Sequence, residues 1–135
     1  MNNQEIESEI QAKGLTAPRV TPADIEANIF SEHYFTADDG VNGHNEAVAQ
    51  GAYGNLDDQD DLGALSLLTF CVLVLQNGST VTGESACASP ENFDAEIECK
   101  IARENAIAKV WPLMGHELKS RLAREAADRD EETRL

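Results

Sequence analysis

SLLTFCVLVLQNGSTVTGESAC, residues Ser66–Cys87, is the stretch that decides the fold. Two strand-like runs flank Gln76-Asn77-Gly78-Ser79, and Asn-Gly is the leading short-range hairpin signal because a type I′ turn needs positive φ at both central residues. A two-residue turn opposes Leu75 to Thr80, Val74 to Val81 and Val72 to Gly83. One face then carries Leu68, Phe70, Val72 and Val74 against Cys87, Ser85, Gly83 and Val81. The other carries Leu67, Thr69, Cys71, Leu73 and Leu75 against Ala86, Glu84, Thr82 and Thr80. The first run is apolar on both faces, whereas a half-buried antiparallel strand alternates. It is therefore expected to be a central strand, or to meet another subunit with its second face. A lone hairpin is marginal in water, so helices, further strands or a partner must cover it.

Working outward, Ser89-Pro90-Glu91-Asn92 reads as an N-cap, a first-turn proline and a polar first turn, opening a helix over Ser89–Val110. Phe93, Ile97, Ile101 and Ala108 make its core stripe, with Ala102, Ala106 and Trp111 beside it. Lys100, Arg103 and Lys109 lie off that stripe. Pro112 lacks a backbone donor and is expected to end or kink the helix. A second helix, with Leu118 and Leu122 at i,i+4, follows and frays into a charged tail, 124–135. Upstream, residues 1–20 form a polar arm with a weak helical pattern at Ile6 and Ile10. Thr21–Tyr34 reads as a capped helix with Ile25, Ile29 and Tyr34 on one stripe. Thr36–Leu62 holds four glycines and seven acidic residues without apolar periodicity, which reads as a long loop or mobile insert. The expected fold class is α+β: a small antiparallel β-sheet built on the Ser66–Cys87 hairpin, packed by helices before and after it. Residues 21–123 form the single domain, with the acidic insert at 36–62.

The chain has 135 residues, 41% hydrophobic and 26% charged. A domain of that length buries roughly two-thirds of its unfolded surface. The net charge of −15 is local. No Lys or Arg occurs between Val20 and Cys99, a stretch with 15 Asp and Glu, while the flanks balance at 10 acidic and 10 basic residues. A nucleic-acid binder needs a basic face, and an anionic membrane likewise recruits cations, so direct nucleic-acid and membrane binding are not expected. The apolar run near Leu65–Leu75 is too short to span a bilayer, and the acidic N-terminus does not suit a signal peptide. Cys71, Cys87 and Cys99 fit a reducing compartment.

Chemistry-bearing patterns are sparse. The Asp57–Asp61 run places Leu62 and Leu68 where an EF-hand loop needs Gly and Glu, so that motif fails. No zinc-ligand pair, nucleophile elbow, P-loop or dinucleotide fingerprint is present. Glu84 is the hairpin's one carboxylate and is expected to face solvent, and the strand thiols Cys71 and Cys87 are expected to be inert. The expectation is a protein that is not an enzyme and takes no cofactor or metal. Gly83 lies mid-strand, where glycine often marks a bulge or the close approach of a backbone or ligand. Thr80, Thr82 and Ser85 supply hydroxyls nearby, and a helix start offers free amides to anions. Trp111 reads as a core residue beside Pro112.

The strings Phe70-Cys71-Val72-Leu73, Asn77-Gly78, Thr80–Cys87, Ser89-Pro90-Glu91-Asn92-Phe93-Asp94, Lys100–Ala106 and Val110-Trp111-Pro112-Leu113 resemble a family of small tailed-phage and prophage proteins named after podovirus gene products. The resemblance runs from about Ile25 to Leu122, with the acidic segment as a variable insert. It implies a phage-encoded protein acting in the host bacterial cytoplasm. Small phage proteins of similar hairpin-plus-helix build include sponges for cyclic nucleotide immune signals, such as the Thoeris anti-defence proteins, a likeness of architecture alone.

Two main readings follow. In the first, a homo-oligomer joined through the second face of the Leu67–Leu75 strand sequesters an anionic signal nucleotide. Thr82, Ser85, Asn92, Phe93, Arg103 and Lys109 are its ligand-binding candidates, since only the Lys100–Lys109 helix and the tail supply positive charge to the core. In the second, the acidic 20–99 stretch mimics nucleic acid and occupies a basic groove on a host protein, with association that is fast and salt-sensitive. A structural or regulatory phage oligomer is the third.

Overall fold

The computed structural model describes residues 3–56 and 62–134, so the Asp57–Asp61 run lies outside the described residues. The chain is α+β, with a three-stranded antiparallel sheet and helices before and after it. It divides into two compact units, residues 30–107 and residues 1–29 with 108–135.

The sheet unit is built on β2 (Leu68–Leu75) and β3 (Thr80–Ala86), with β1 (Ile29–Thr36) on the far side of β2. β2 is thus the central strand, one of the two readings its apolar faces allow. The register differs by one residue from that of a two-residue turn: Val74 opposes Thr80, Leu73 opposes Val81 and Cys71 opposes Gly83. The cause is the turn. Leu75 N–H bonds to the Ser79 carbonyl at 2.8 Å and Gly78 N–H to the Leu75 carbonyl at 2.9 Å, which leaves Gln76, Asn77 and Gly78 in the loop. Gly78 takes φ of +88°, as the last residue of a three-residue hairpin loop does. A one-residue shift exchanges faces. Gly83 and Ser85 therefore share a face with Thr69, Cys71, Leu73 and Leu75, and that face is buried.

Against that face lies the first part of α5 (Ala95–Arg134). Asp94 caps the helix by accepting from Ile97 N–H at 3.1 Å. Ser89 instead precedes a short 3₁₀ turn, Pro90–Asn92, and makes no side-chain cap bond. The buried line of α5 is Glu98, Ala102, Ala106 and Val110, not the expected Ile97, Ile101 and Ala108. Ile97 is 54% exposed and Ile101 42%. The reason is steric. A Cβ on Gly83 would stand 2.2 Å from the Ala102 carbonyl oxygen and 2.3 Å from the Ala106 nitrogen. Helix backbone rests on strand backbone there, and only alanine fits at the contact. Pro112 does not end α5. Ala108, whose carbonyl the proline leaves unbonded, is exposed, so water can satisfy the group at the cost of one helical bond. The expected tail continues as helix to Arg134.

Two other expectations are corrected. Thr21–Tyr34 is not one helix: α2 (Pro22–Ala27), with a Thr21–Asp24 capping box, stops at Asn28 and β1 follows. The Ile25/Ile29 spacing imitates a helical stripe, but the run from Ile29 to Phe35 is rich in the aromatic residues that strands favour. Nor is Thr36–Leu62 a loop throughout. α3 (Ala37–Ala49) occupies its first half, and α4 (Leu62–Leu65) precedes β2. The Asp39 carboxylate accepts from Thr36 N–H at 3.1 Å, and Val41, Asn45 and Val48 form the covered side of α3. The sequence signal is faint because only two of those three are apolar.

In the other unit, α1 (Asn3–Ala12) gives the polar arm a helix, and Ile25 and Val110 are fully buried.

Two glycine replacements separate packing from propensity. Gly83→Ala puts a methyl group into backbone atoms that cannot yield, and is expected to cost about 3 kcal/mol. Gly43→Ala lies in α3 with open space around it and is expected to stabilise by about 0.5–1 kcal/mol. Urea denaturation of both variants checks the pair.

Candidate functional site

The residues around the α5–sheet contact sort by helix position. Glu98, Ala102 and Ala106 face the sheet. Cys99, Arg103 and Ile107 are half-buried one position further on, and Arg103 turns toward β1, where its Nε donates to Glu32 at 3.1 Å. Ile97, Ile101 and Asn105 form the opposite flank at i,i+4 spacing, and Asn105 Nδ2 donates to the Glu84 carbonyl of β3 at 2.8 Å. Hence Arg103 marks the β1 side of the helix and Asn105 the β3 side.

Three polar side chains sit inside the contact. Ser85 Oγ donates to Glu98 Oε2 at 2.8 Å, and both residues are buried. Thr69, opposite Ser85 in the ladder, is 2% exposed and its hydroxyl has no hydrogen-bond partner. Toward β1, the Tyr34 hydroxyl donates to Glu32 at 3.1 Å. Burial, then this bond, pushes the Tyr34 pKa up. Burial also pushes up the Cys71 thiol. A fully buried thiol held protonated is a poor nucleophile.

The six binding candidates do not converge on one surface. Thr82 is exposed on the outer face of β3, while Ser85 is buried on the inner face and engaged by Glu98. Asn92 is exposed at the end of the 3₁₀ turn, and Phe93 is half-buried after it. Arg103 is held by Glu32. Lys109 is exposed and belongs to the other unit. Reading the sequence alone missed Glu32, Glu98 and Asn105, which make the cross-element contacts. The available signal was Ala102-x-x-x-Ala106 on a helix following a mid-strand glycine.

The electrostatics of the sheet unit are one-sided. Residues 30–107 hold 14 Asp and Glu against Lys100 and Arg103 alone. Both cations are already paired with carboxylates, Lys100 with Glu96 at 3.2 Å and Arg103 with Glu32. Among the described residues, no three His, Cys, Asp or Glu side chains stand close enough to hold a metal ion, and no helix is long and apolar enough to cross a membrane.

In the other unit, Arg19 clasps Glu7 with two bonds of 2.5 and 2.6 Å. That pair borders a cavity of about 190 Å³ lined also by Ile6, Ile10, Val20 and Trp111. The Trp111 indole N–H is buried without a hydrogen-bond partner. Trp111 is half-buried, in keeping with the packing role read from the sequence.

The sequence model of a family described as "Phage protein (N4 Gp49/phage Sf6 gene 66) family" matches residues 20–122. No curated protein and no solved structure matches the chain.

Two changes test these contacts. Ser85→Ala strips a buried carboxylate of its donor, and urea unfolding is expected to show a loss of about 2 kcal/mol. The Arg19 clasp, with a further bond from Gln11, holds the Glu7 carboxyl at about 2, against an ordinary 4.5. A depressed carboxylate stabilises fully above its unfolded pKa, and that stabilisation is lost as pH falls through the folded value. Acid titration of the wild type should therefore show a stability loss between pH 4.5 and about 2 that Glu7→Gln lacks.

Proposed function

The chain belongs to the Phage protein (N4 Gp49/phage Sf6 gene 66) family, and from that premise we propose that it is a non-enzymatic binding protein that occupies a basic surface of a host protein. The observation that carries this reading is the charge balance of the sheet unit: 14 carboxylates, two cations, and both cations already neutralised by carboxylates. Such a surface repels phosphate and attracts lysine- and arginine-rich grooves, and complementary charge acts first on the rate of encounter. The helical placement of Asp38, Asp39 and Glu46 on α3 adds to it, because carboxylates on a folded element hold fixed spacing against a partner. Cys71 is buried and burial pushes its thiol up, so it is a poor nucleophile.

Sequestration of an anionic signal nucleotide draws less support. It needs Thr82, Ser85, Asn92, Phe93, Arg103 and Lys109 to share one pocket. Thr82 and Ser85 leave opposite faces of β3, and Arg103 is already held by Glu32.

The reading is tested by affinity capture from host lysate at about 0.05 M and about 0.5 M salt, which brackets weak and strong screening. A basic nucleic-acid-binding protein is expected at low salt and lost at high salt. Recovery of no basic protein at low salt overturns the proposal. Calorimetry with cyclic dinucleotides is expected to give no heat, and saturable binding would restore the nucleotide reading in its place.

A further inference from the structure

We propose that the open edge of β3, with the Ile97–Ile101 flank of α5, is the docking site for an extended, basic segment of the partner protein. This rests on the binding role proposed above and names its surface. β3 is an edge strand. The bonds Leu75 N–H to Ser79 and Cys87 N–H to Leu67 fix the phase of the ladder. In an antiparallel pair, hydrogen-bonded and non-bonded positions alternate. Val81, Gly83 and Ser85 thus bond inward to β2, and Thr80, Thr82, Glu84 and Ala86 turn their N–H and C=O groups outward. Asn105 takes the Glu84 carbonyl. The remaining outward groups form a template of the kind that accepts an added strand.

The flank beside this edge supplies the rest. Asn105 reaches the edge, so Ile101 and Ile97, one and two turns earlier on the same stripe, run alongside β3. Both are large apolar side chains left exposed, at 54% and 42%, although Ala102 and Ala106 beside them are fully buried. Charge selects the occupant. Along β3 and the Ile97–Ile101 flank, Glu84, Glu91, Asp94 and Glu96 are exposed, and Lys100, the one cation there, is paired with Glu96. A second copy would bring the same acidic edge against itself, and like charges across a strand pair destabilise it. A strand alternating Lys or Arg with apolar residues complements the backbone groups, the isoleucines and the carboxylates together.

The test uses the full chain and a labelled, end-blocked peptide of four Lys-Val repeats, followed by fluorescence anisotropy. Four comparisons are made: a Glu-Val peptide, the Lys-Val peptide N-methylated at alternate residues, the Thr82→Pro variant and an Ile97→Ser/Ile101→Ser variant. Proline removes only an outward N–H there and is tolerated on edge strands. The Lys-Val peptide is expected to bind and the Glu-Val peptide not to. Thr82→Pro or N-methylation should weaken binding at least about ten-fold, the scale of one to two lost hydrogen bonds. An Ile97→Ser/Ile101→Ser variant should weaken it several-fold. Absence of binding, or equal binding by the N-methylated peptide, overturns the edge proposal, and the second result does so even if Thr82→Pro fails to fold. Self-association abolished by Thr82→Pro, without peptide binding, would assign the edge to a second copy. Lysate capture that is salt-sensitive yet unchanged in Thr82→Pro leaves the wider binding role standing and overturns this surface alone.

Discussion

The backbone of α5 touches the backbone of β3 where Gly83 meets Ala102 and Ala106, and the arrangement of the sheet unit follows from that contact. A helix normally stands off a sheet by the thickness of two side-chain layers, about 10 Å. Here one layer is missing at the centre. Dispersion falls away steeply with separation, so this approach gains contact area only while every residue at it stays small. The same approach sets the rotation of the helix. With Ala102 and Ala106 turned to the strand, Glu98 and Val110 must lie on the same line, while Arg103 and Asn105 fall to either side. Ile97 and Ile101 are left outside because there is no depth beneath α5 for them to fill.

That geometry also explains the polar groups within the contact. Ser85 is two residues from Gly83 on the same face, and Glu98 is one turn from Ala102 on the same line. Once glycine and alanine are matched, serine and glutamate are brought together, and their 2.8 Å bond satisfies what would otherwise be two buried polar groups. The unpartnered Thr69 hydroxyl lies beside them. A buried hydrogen-bonded pair contributes little net stability but penalises any register that separates its members. The pair thus favours the observed alignment of strand and helix over a one-turn slip that would still match glycine with alanine.

The hairpin, the α+β class and the central position of β2 were legible in the sequence, because Asn77-Gly78 and the two-faced apolar run Leu67–Leu75 are strong local signals. The register was not. Asn-Gly serves both two- and three-residue loops, and the choice moves Gly83 and Ser85 from one face to the other. The stripe on α5 was misread because hydrophobicity was taken as the guide to burial. Ile97 and Ile101 outrank alanine on any scale, and only the tertiary match to a side-chain-less strand position reverses the order. The Ile25/Ile29 spacing, which runs from α2 into β1, imitated one helical stripe, and α3 was hidden by a weak apolar pattern held by a cap at Thr36. The binding candidates were selected by residue type, as hydroxyls near Gly83, groups at the helix start and basic side chains of the helix, and sequence cannot show that Arg103 is already engaged by a carboxylate 71 positions earlier.

The charge distribution takes its meaning from this packing. Helix backbone fills the space over Gly83, and a partner of the proposed kind would meet the unit's outer surface. That surface carries carboxylates on α3, β3 and the start of α5, and its two cations are spent within the unit. A macromolecule gains from many weak contacts at once, because each screened surface charge is worth little alone but the field they sum to steers a large basic partner. The alanine contact that expels Ile97 and Ile101 from the core also leaves them exposed on the helix flank beside β3. In the proposed docking, core packing and surface recognition share one cause: a residue too large for the space under α5 would become an apolar anchor on the outside of an acidic unit.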